Sequence, residues 1–377
     1  MFKKLSVVTV VGTRPEIIRL SSIINRLNKS RSISHYLIHT GQNYDKELNE
    51  IFFKDLNLKL PDYYLNAALD KPSVTIGNIL LKLEPILEKI NPDSFLVLGD
   101  TNSSLSAIVA KKMKIPVFHY EAGNRCFDQR VPEEINRKIV DTISDINLTY
   151  SNISRQYLIS EGFASERIIK IGSPMKEVIN SNLKKINSSK VLDKLKLKKN
   201  NYFLVSFHRE ENINSDNLKE FIEVLNLLCG QYDMPIIFST HPRTQKRLKD
   251  LELKTHSLIK FLKPLNFSDY NNLQINSLVV LSDSGTISEE ASILKFRALN
   301  IRDTHERPES MEQTSVIMTG TNSERIIQSI ELIKNLDMNE ILKDVDDYSP
   351  DNISVKIERI LLSYTDYVNK MIWKKES

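Results

Sequence analysis

The chain has 377 residues, of which 41% are hydrophobic and 27% are charged. This length exceeds what one hydrophobic core usually organises, so we expect two domains. The composition is typical of a globular protein. The formal net charge of +4 is small for this size, and the basic residues are scattered along the chain. These features exclude a strongly basic nucleic-acid-binding surface but leave room for a local anionic ligand.

No segment indicates targeting or membrane insertion. The N-terminal "MFKKLSVVTVV" places lysines before an apolar run, but that run is short and no small-residue cleavage site follows it. We interpret "LSVVTVV" as a first buried strand. No apolar run approaches the length of a membrane span. The two cysteines, Cys126 and Cys229, lie too far apart for a metal or redox motif, and we expect a cytoplasmic protein.

The first half of the chain alternates β-rich runs with amphipathic helical stretches. The predicted strands are "LSVVTVV", "HYLIHT", "DSFLVLGD", "IPVFHY", "DINLTY" and "RIIKIG". The predicted helices cover residues 15–28, 72–90, 102–113 and 132–143. This alternation predicts a parallel sheet with helices on both faces. Residues 176–200 are rich in Lys, Asn and Ser, which favours a linker.

The same pattern then begins again. The predicted strands of a second α/β unit are "NYFLVSFH", "PIIFSTH", "LIKFLKP", "SLVVLSDSG" and "RALNI". We therefore predict an α/β protein with two doubly wound, Rossmann-like domains, residues 1–172 and 173–354, facing each other across a cleft. A terminal helix over about 355–377 is expected to pack back on the first domain. In such sheets, ligands bind beyond the carboxyl ends of the strands.

Polar residues follow nearly every predicted strand. In the first half these segments are "GTRPE", "HTGQNYD", "LGDTNSS" and "HYEAGNR", and in the second half "SFHREEN", "STHPRT", "SDSGTISEE" and "IRDTHERPE". Each segment alone is weak evidence of function. Because the carboxyl ends of parallel strands lie at one edge of a sheet, their shared position predicts a functional rim.

Two of these segments open helices and are candidates for phosphate binding. In "GTRPE", the backbone N–H groups at the helix start and the charge of Arg14 suit an anion. In "SDSGTISEEA", Ser284 and Thr286 would present hydroxyl and N–H groups to a phosphate, and a nearby glutamate could accept hydrogen bonds from a ribose diol. The alternatives are an ordinary turn with a surface arginine, and a serine-capped helix with acids in its first turn.

Two histidines that follow strands of the second unit are candidates for acid/base chemistry or phosphate contact, because imidazole titrates near neutrality. They are His208 and His241, and for both a structural role is the alternative. His35 and His39 are four residues apart but lie in a predicted strand, where that spacing separates them widely. We therefore expect no metal site.

The segment "EAGNRCFDQRVPEE" carries Glu121 and Glu133 between a predicted strand and a predicted helix. It could be a solvated surface loop, or it could hold carboxylates that project into a ligand site. The residues alone do not decide between these interpretations.

The motifs taken together resemble one family. The segments "GTRPE", "HTGQ", "GDT", "EAGNR", "PEEINR", "HRE", "DSG" with "EE", and "ERPE" occur in the order typical of non-hydrolysing UDP-N-acetylglucosamine 2-epimerases. The resemblance covers roughly residues 5–320. It implies a fold like that of the GT-B glycosyltransferases, a homodimer, a UDP-sugar substrate and no cofactor. It also implies epimerisation at C2 by elimination and re-addition of UDP.

The resemblance also assigns roles to individual residues. The catalytic positions match Asp100, Glu121, Glu133 and His208. The substrate-binding positions match Arg14, Arg19, His241, Tyr270, Ser284, Gly285, Thr286, Glu290 and Arg307. Among these, Arg14 and Arg19 correspond to groups near the diphosphate and sugar, and Tyr270 to the aromatic ring against the uracil. Three arginines, Arg125, Arg130 and Arg137, are expected to orient the two glutamates.

Two departures from the family pattern bear on the substrate. The usual UDP-N-acetylglucosamine enzymes have "EAGLRT" before "PEE" and "DSGG" in the serine loop, whereas this chain has "EAGNRCFDQRVPEE" and "DSGT". The first segment resembles the branch that forms UDP-N-acetyl-L-fucosamine for bacterial capsules and O-antigens. Its substrate is UDP-2-acetamido-2,6-dideoxy-L-talose.

Other interpretations stay open at this stage. Within the family, a UDP-N-acetylglucosamine/UDP-N-acetylmannosamine 2-epimerase is the alternative, and within the fold, a hydrolysing epimerase. A GT-B glycosyltransferase would share the nucleotide-binding half but would need an acceptor. A non-catalytic nucleotide-sugar-binding protein could lack the acids, yet Asp100, Glu121 and Glu133 are all present.

Overall fold

The computed structural model describes residues 3–41, 46–207, 217–240, 253–341 and 344–375, together with Thr244, Arg247, Leu248, Asp250 and Leu251. The chain divides into two compact units. Unit 1 comprises Met1–Ser181 and Asp347–Ser377, and unit 2 comprises Asn182–Asp346. The sequence estimate placed the boundary earlier, at residues 172 and 173.

Unit 1 is built on a parallel sheet of seven strands, ordered β3-β2-β1-β4-β5-β6-β7. The strands are β1 (Leu5–Val11), β2 (Ile33–His39), β3 (Tyr63–Tyr64), β4 (Ser94–Leu98), β5 (Val117–Tyr120), β6 (Ile146–Thr149) and β7 (Ile168–Lys170). The helices are α1 (Arg14–Lys29), α2 (Lys46–Asp55), α3 (Pro72–Ile90), α4 (Ala107–Lys112), α5 (Pro132–Ile143), α6 (Asn152–Ser160) and α7 (Met175–Ser188). The strand order reverses direction between β1 and β4, as expected for a doubly wound sheet.

Unit 2 repeats this arrangement with six parallel strands, ordered β10-β9-β8-β11-β12-β13. The strands are β8 (Phe203–Ser206), β9 (Ile236–Ser239), β10 (Ile259–Leu262), β11 (Val279–Ser282), β12 (Ala298–Asn300) and β13 (Ile317–Met318). The helices are α8 (Val191–Leu195), α9 (Asn217–Tyr232), α10 (Phe267–Asn276), α11 (Ile287–Leu294), α12 (Pro308–Glu312), α13 (Ser323–Ile333) and α14 (Met338–Ile341). The prediction of two Rossmann-like parallel-sheet domains is confirmed.

The prediction of a linker over residues 176–200 is wrong, because most of this segment is helical in α7 and α8. The helix α7 covers Met175–Ser188, and the boundary between the units falls inside it. Among the polar residues of α7, the apolar side chains of Val178, Ile179 and Ile186 are buried along one face of the helix. The composition indicated a linker because the apolar residues cover only one face of the helix, so the segment as a whole is mostly polar.

The terminal helix α15 (Ile353–Met371) belongs to unit 1. Its buried side chains recur about every four residues, at Ile353, Ile357 and Leu361, which is the spacing of one helical face. The helix packs against α1, where Arg26 Nε lies 2.5 Å from Glu358 Oε2. No helix within the described part of the chain is long and apolar enough to cross a membrane.

The turn between β1 and α1 is closed by a buried carboxylate. Glu16 Oε2 accepts hydrogen bonds from the N–H groups of Gly12 and Thr13, both at 2.7 Å, and Glu16 Oε1 accepts one from the Thr101 hydroxyl at 2.6 Å. Burial raises the pKa of Glu16 to about 7, although these hydrogen bonds act in the opposite direction. The expectation that this helix start offers its N–H groups to a phosphate is therefore wrong for Gly12 and Thr13, because Glu16 occupies them.

The burial of Glu16 predicts a pH-dependent stability. Because its folded-state pKa is raised from 4.5 to about 7, the folded chain holds the proton more tightly than the unfolded chain. The free energy of unfolding should therefore fall by about 3 kcal/mol as the pH rises from about 4.5 to about 7. In Glu16→Gln this component should vanish, since the amide keeps an oxygen for the two N–H groups and turns its NH₂ to Thr101.

Urea unfolding of both proteins between pH 5 and pH 8 measures this difference. The exposed Glu324, replaced by Gln, is the matched control and should follow the unaltered protein. Parallel stability curves for Glu16→Gln and the unaltered protein would show that Glu16 is ionised throughout this range.

Candidate active site

Two candidate catalytic residues of unit 1 lie at the carboxyl ends of two neighbouring strands. Asp100 follows β4 after one glycine, and Glu121 follows β5 directly. Since β4 lies between β1 and β5 in a parallel arrangement, these strand ends meet at one edge of the sheet. This edge includes the point between β1 and β4 where the strand order reverses, which is where ligands bind in such folds.

Glu121 is held in a strained and largely buried position. Its φ angle is 72°, in the left-handed region that side chains other than glycine seldom adopt, and its side chain is 6% exposed. Glu121 Oε2 lies 2.6 Å from Arg19 Nη1 and 3.4 Å from the Tyr150 hydroxyl, and Oε1 accepts a hydrogen bond from Asn124 Nδ2 at 3.2 Å. A backbone strained in this way is a frequent feature of functional sites.

Arg19, which the resemblance places near the diphosphate and sugar, is the partner of Glu121 in this structure. It lies on the buried face of α1, and its side chain is 10% exposed. Because an arginine stays charged at all physiological pH values, it stabilises the ionised form of the neighbouring carboxyl group. Sequence analysis did not foresee this pairing, since the two residues are 102 positions apart.

Asp100 is tied to the helix that carries the "PEE" motif. Its Oδ2 accepts a hydrogen bond from Arg137 Nε at 2.7 Å, and its backbone carbonyl accepts one from Asn136 Nδ2 at 2.8 Å. The same guanidinium donates through Nη1 to Glu134 Oε2 at 2.8 Å. One arginine thus links the loop after β4 to the first turn of α5.

The two glutamates of "PEE" have different environments. Burial alone would raise the pKa of Glu134, but hydrogen bonds from the Cys126 N–H group and from Arg137 hold it below its usual value. Glu133 is half-buried, in the same first turn of α5. Adjacent helical residues face different directions. Glu134 therefore secures the loop before α5, whereas Glu133 is the member of the pair with solvent access.

The described partners of the three arginines expected to orient the glutamates include other acids. Arg125 is fully buried and binds Asp141 and Glu161, while the exposed Arg130 pairs with Asp128. Arg137 binds Asp100 and Glu134, as described above. Closeness along the chain suggested Glu121 and Glu133 as partners, but the turn after β5 directs the Arg125 guanidinium toward α5 and α6 instead.

A buried histidine next to this site was missed by the sequence analysis. His119 lies in β5, two residues before Glu121, and is completely buried. Its Nδ1 lies 2.8 Å from Asp141 Oδ1, and its Nε2 lies 2.9 Å from the carbonyl oxygen of Gly99. The available signal was a titratable side chain inside the otherwise apolar run "IPVFHY".

In unit 2, the segment from Ser284 to Thr286 precedes the short helix α11. The Ser284 hydroxyl lies 3.0 Å from the Thr286 hydroxyl and accepts a hydrogen bond from the Thr286 N–H group at 3.3 Å. Glu290, in the first turn, accepts a hydrogen bond from Gln274 Nε2 at 2.6 Å. Gln274 was not predicted, although it fixes one oxygen of a predicted ligand residue.

The remaining candidates are distributed as follows. Arg307 is buried and lies 3.5 Å from Glu289, measured from Nη2 to Oε2, and Tyr270 is half-buried on α10. Arg14 is half-buried at the start of α1, with its guanidinium 5.5 Å from the centre of the Phe52 ring. His208 and His241 lie outside the described residues. Within the described ranges, no group of three or more His, Cys, Asp or Glu side chains is placed to hold a metal ion.

Comparison with known proteins identifies relatives along nearly the whole chain. The sequence pattern of the UDP-N-acetylglucosamine 2-epimerase family matches residues 25–362. A solved structure of UDP-N-acetylglucosamine 2-epimerase from Rickettsia bellii is 50% identical with a TM-score of 0.92, and the match covers 99% of this chain and 100% of that one.

The names of two further relatives contain different UDP-sugars. The Methanocaldococcus jannaschii UDP-GlcNAc 2-epimerase, solved in complex with UDP-GlcNAc and UDP, is 37% identical with a TM-score of 0.88, over 95% of this chain and 99% of that one. A UDP-2,3-diacetamido-2,3-dideoxy-D-glucuronate 2-epimerase from Pseudomonas aeruginosa is 30% identical over 330 residues, 86% of this chain and 91% of its own length. On these matches, and on the two parallel-sheet domains they share with it, this chain belongs to the family of non-hydrolysing UDP-N-acetylglucosamine 2-epimerases.

Proposed function

We propose that the chain inverts C2 of a UDP-linked 2-acetamido sugar by eliminating UDP and adding it back. The C2–H bond of such a sugar is not adjacent to a carbonyl group, so direct deprotonation would leave a charge without a sink. In elimination, a base takes the C2 proton, the C1–O bond breaks, and its electron pair leaves with UDP. A double bond forms between C1 and C2, and reversal with protonation from the opposite face gives the epimer.

The buried pair of Arg19 and Glu121 is the observation that carries this proposal. An acid/base group must be present in the correct protonation state and held in place. Glu121, bonded to Arg19 at 2.6 Å and to Asn124 at 3.2 Å, meets both requirements as a carboxylate base at C2. A second acid must serve the other face of the ring, and Asp100 and Glu133 are the candidates.

The second unit is proposed to hold the nucleotide. Ser284, Gly285 and Thr286 would contact the diphosphate, with Glu290 on the ribose diol and Tyr270 against the uracil. A diphosphate that gains charge as it departs needs fixed positive groups, and Arg14 and Arg307 are assigned to this task or to the sugar. His241 is proposed as a further substrate-binding residue, and His208 as a catalytic one. The bond from Gln274 to Glu290 supports this arrangement, because it orients the carboxylate before ligand arrives.

For the physiological substrate, we propose UDP-2-acetamido-2,6-dideoxy-L-talose, converted to UDP-N-acetyl-L-fucosamine. The support comes from Asn124, which stands where the usual family pattern has leucine. Its amide contacts both the Glu121 carboxylate and the Ser154 hydroxyl, so the residue that departs from the pattern touches the proposed base. Capsule or O-antigen biosynthesis would be the setting.

The second candidate is the interconversion of UDP-N-acetylglucosamine and UDP-N-acetylmannosamine. Its support is that the Rickettsia bellii and Methanocaldococcus jannaschii relatives carry the name UDP-N-acetylglucosamine 2-epimerase. The Pseudomonas aeruginosa relative acts, by its name, on a different UDP-sugar.

Separate incubation with the two UDP-sugars distinguishes these candidates. The configuration at C2 and the amount of free UDP are followed by NMR. Faster epimerisation of the L-talo sugar supports the first proposal, and faster epimerisation of UDP-N-acetylglucosamine supports the second. Stoichiometric release of UDP would instead identify a hydrolysing enzyme.

We further propose a homodimer in the cytoplasm, on the basis of the family resemblance. Unit 1 exposes large apolar side chains on α3 and α5, with Leu81 at 74% and Ile135 at 54% exposure. Light scattering on the purified protein measures the mass directly. A value near 43.5 kDa, the mass of one chain, would exclude the dimer.

Replacing the proposed acid/base groups should slow turnover strongly and leave UDP binding unchanged. In Glu121→Gln and Glu133→Gln, turnover should fall by roughly 10²–10⁴-fold each, because a positioned acid/base group contributes about that much. The double variant should be little worse than either single one, since the groups act in one reaction. Glu84→Gln, exposed on α3, is the control. Near-native turnover in either single variant would remove that residue from the chemistry.

Replacing Glu290 should affect binding instead. Loss of a charge-assisted hydrogen bond to the ribose should weaken UDP binding in Glu290→Gln by about 1.5–3 kcal/mol, or roughly 10- to 150-fold. Calorimetry with UDP measures the effect, and Glu324→Gln, exposed on α13 of the same unit, should bind UDP normally. An unchanged affinity in Glu290→Gln would assign the ribose to another group.

A further inference from the structure

A single buried carboxylate joins the turns that carry two of the proposed catalytic residues. Asp141, on α5, is completely buried. Its Oδ1 lies 2.8 Å from His119 Nδ1, and it accepts hydrogen bonds from Arg125 Nη1 at 2.8 Å and from the Gly123 N–H group at 3.2 Å. Arg125 also donates two hydrogen bonds to the Glu161 carboxylate, from Nε at 2.8 Å and from Nη2 at 2.6 Å.

The geometry fixes the charge of His119. One ring nitrogen faces the carbonyl oxygen of Gly99, which can only accept a hydrogen bond. The other faces Asp141, which the Arg125 guanidinium and the Gly123 N–H group, both hydrogen-bond donors to it, hold as an ionised carboxylate. An ionised carboxylate has no proton to donate. Both ring nitrogens must therefore carry protons, which makes His119 an imidazolium.

This charge adds a second cation to a group of ion pairs that runs from the buried Asp141 to the solvent-exposed Glu161. Two anions, Asp141 and Glu161, then face two cations, His119 and Arg125. Buried charges are tolerated when they are paired and hydrogen-bonded in this way. A neutral His119 would leave one ring nitrogen with a lone pair facing an oxygen, either that of Asp141 or that of Gly99.

The cluster holds both catalytic turns. Gly99, whose carbonyl binds His119, directly precedes Asp100, and its N–H group donates to the carbonyl of Tyr120 at 2.9 Å. Gly123, whose N–H group binds Asp141, lies two residues after Glu121. One of the contacts that join the turns of Asp100 and Glu121 thus passes through His119, beside the direct bond from Gly99 to Tyr120.

We propose that His119 is a positioning residue of the epimerase: as an imidazolium held between Asp141 and the Gly99 carbonyl, it sets the place of Asp100 relative to Glu121. The catalytic consequence rests on the function proposed above. The charge state rests on geometry alone and can be tested without any substrate.

The first test is NMR of the full chain labelled with ¹⁵N-histidine. The chain has seven histidines, so the His119 signals are assigned by their disappearance in His119→Gln. We expect proton-bearing signals from both ring nitrogens of His119 at neutral pH. A single protonated nitrogen would overturn the proposal. The exposed His256, replaced by Asn, serves as the control for assignment.

The second test compares two amide side chains, each of which can replace the contact of one ring nitrogen of His119. In His119→Gln the amide nitrogen can reach the Gly99 carbonyl, whereas in His119→Asn the shorter amide can reach only Asp141. We expect kcat of His119→Asn to fall about 100-fold, the effect of displacing a catalytic group by about 1 Å. KM and the affinity for UDP should stay unchanged, and His119→Gln should recover much of kcat.

Equal loss of kcat in the two variants, or a change confined to KM, would overturn the positioning role. A purely structural role predicts lower thermal stability in both variants with a normal kcat in the folded protein. Absence of C2 epimerisation by the unaltered protein would overturn the proposed function, and the NMR result would still decide the charge of His119.

Discussion

The buried ion pair of Arg19 and Glu121 is the interaction on which the site in unit 1 depends. A carboxylate removed from water loses several kcal/mol of solvation unless a partner compensates for it. Arg19 provides a permanent charge at 2.6 Å, and Asn124 and Tyr150 add hydrogen bonds at 3.2 and 3.4 Å. This contact places a buried cation on α1 and a residue with strained backbone directly after β5. The position of α1 on the sheet and the end of β5 are therefore both tied to it.

The buried carboxyl groups of unit 1 differ in pKa according to the groups that hydrogen-bond to them. Glu16 receives its hydrogen bonds from N–H groups and hydroxyls, and burial raises its pKa to about 7. Glu134 and Asp141 are each bonded to arginine, and their pKa values stay below the usual range despite burial. A cation at hydrogen-bond distance is therefore what separates an ionised buried acid from a neutral one here.

The fold could be predicted from the sequence because the buried strands of a parallel sheet are easily recognised. Buried strands such as "DSFLVLGD" are continuous apolar runs, and the α5 prediction over residues 132–143 agrees with the structure because Pro132 marks its first turn. Two short strands, Tyr63–Tyr64 and Ile317–Met318, were missed because two residues carry no periodicity. The linker prediction failed at α7, where one apolar face was hidden among polar residues.

The candidate site was only partly predictable. Position after a strand placed the segments that carry Asp100 and Glu121 at one edge of the sheet, and the family resemblance marked these two residues as candidates. Their partners came from elsewhere: Arg19 is distant in sequence from Glu121, and His119 is hidden inside an apolar strand. Contacts of this kind depend on three-dimensional packing, and a single sequence carries no record of which distant side chains meet.

The central claim is that the C1–O bond breaks and re-forms during epimerisation. Uptake of deuterium at C2 does not establish this, because oxidation at C3 would also make the C2 proton labile. The decisive measurement uses a UDP-sugar with oxygen-18 in the bridge between C1 and the β-phosphorus, followed by phosphorus NMR during turnover. Elimination and re-addition predict that the label spreads into the non-bridging oxygens of the β-phosphate. Retention of the label in the bridge through many turnovers would contradict the mechanism.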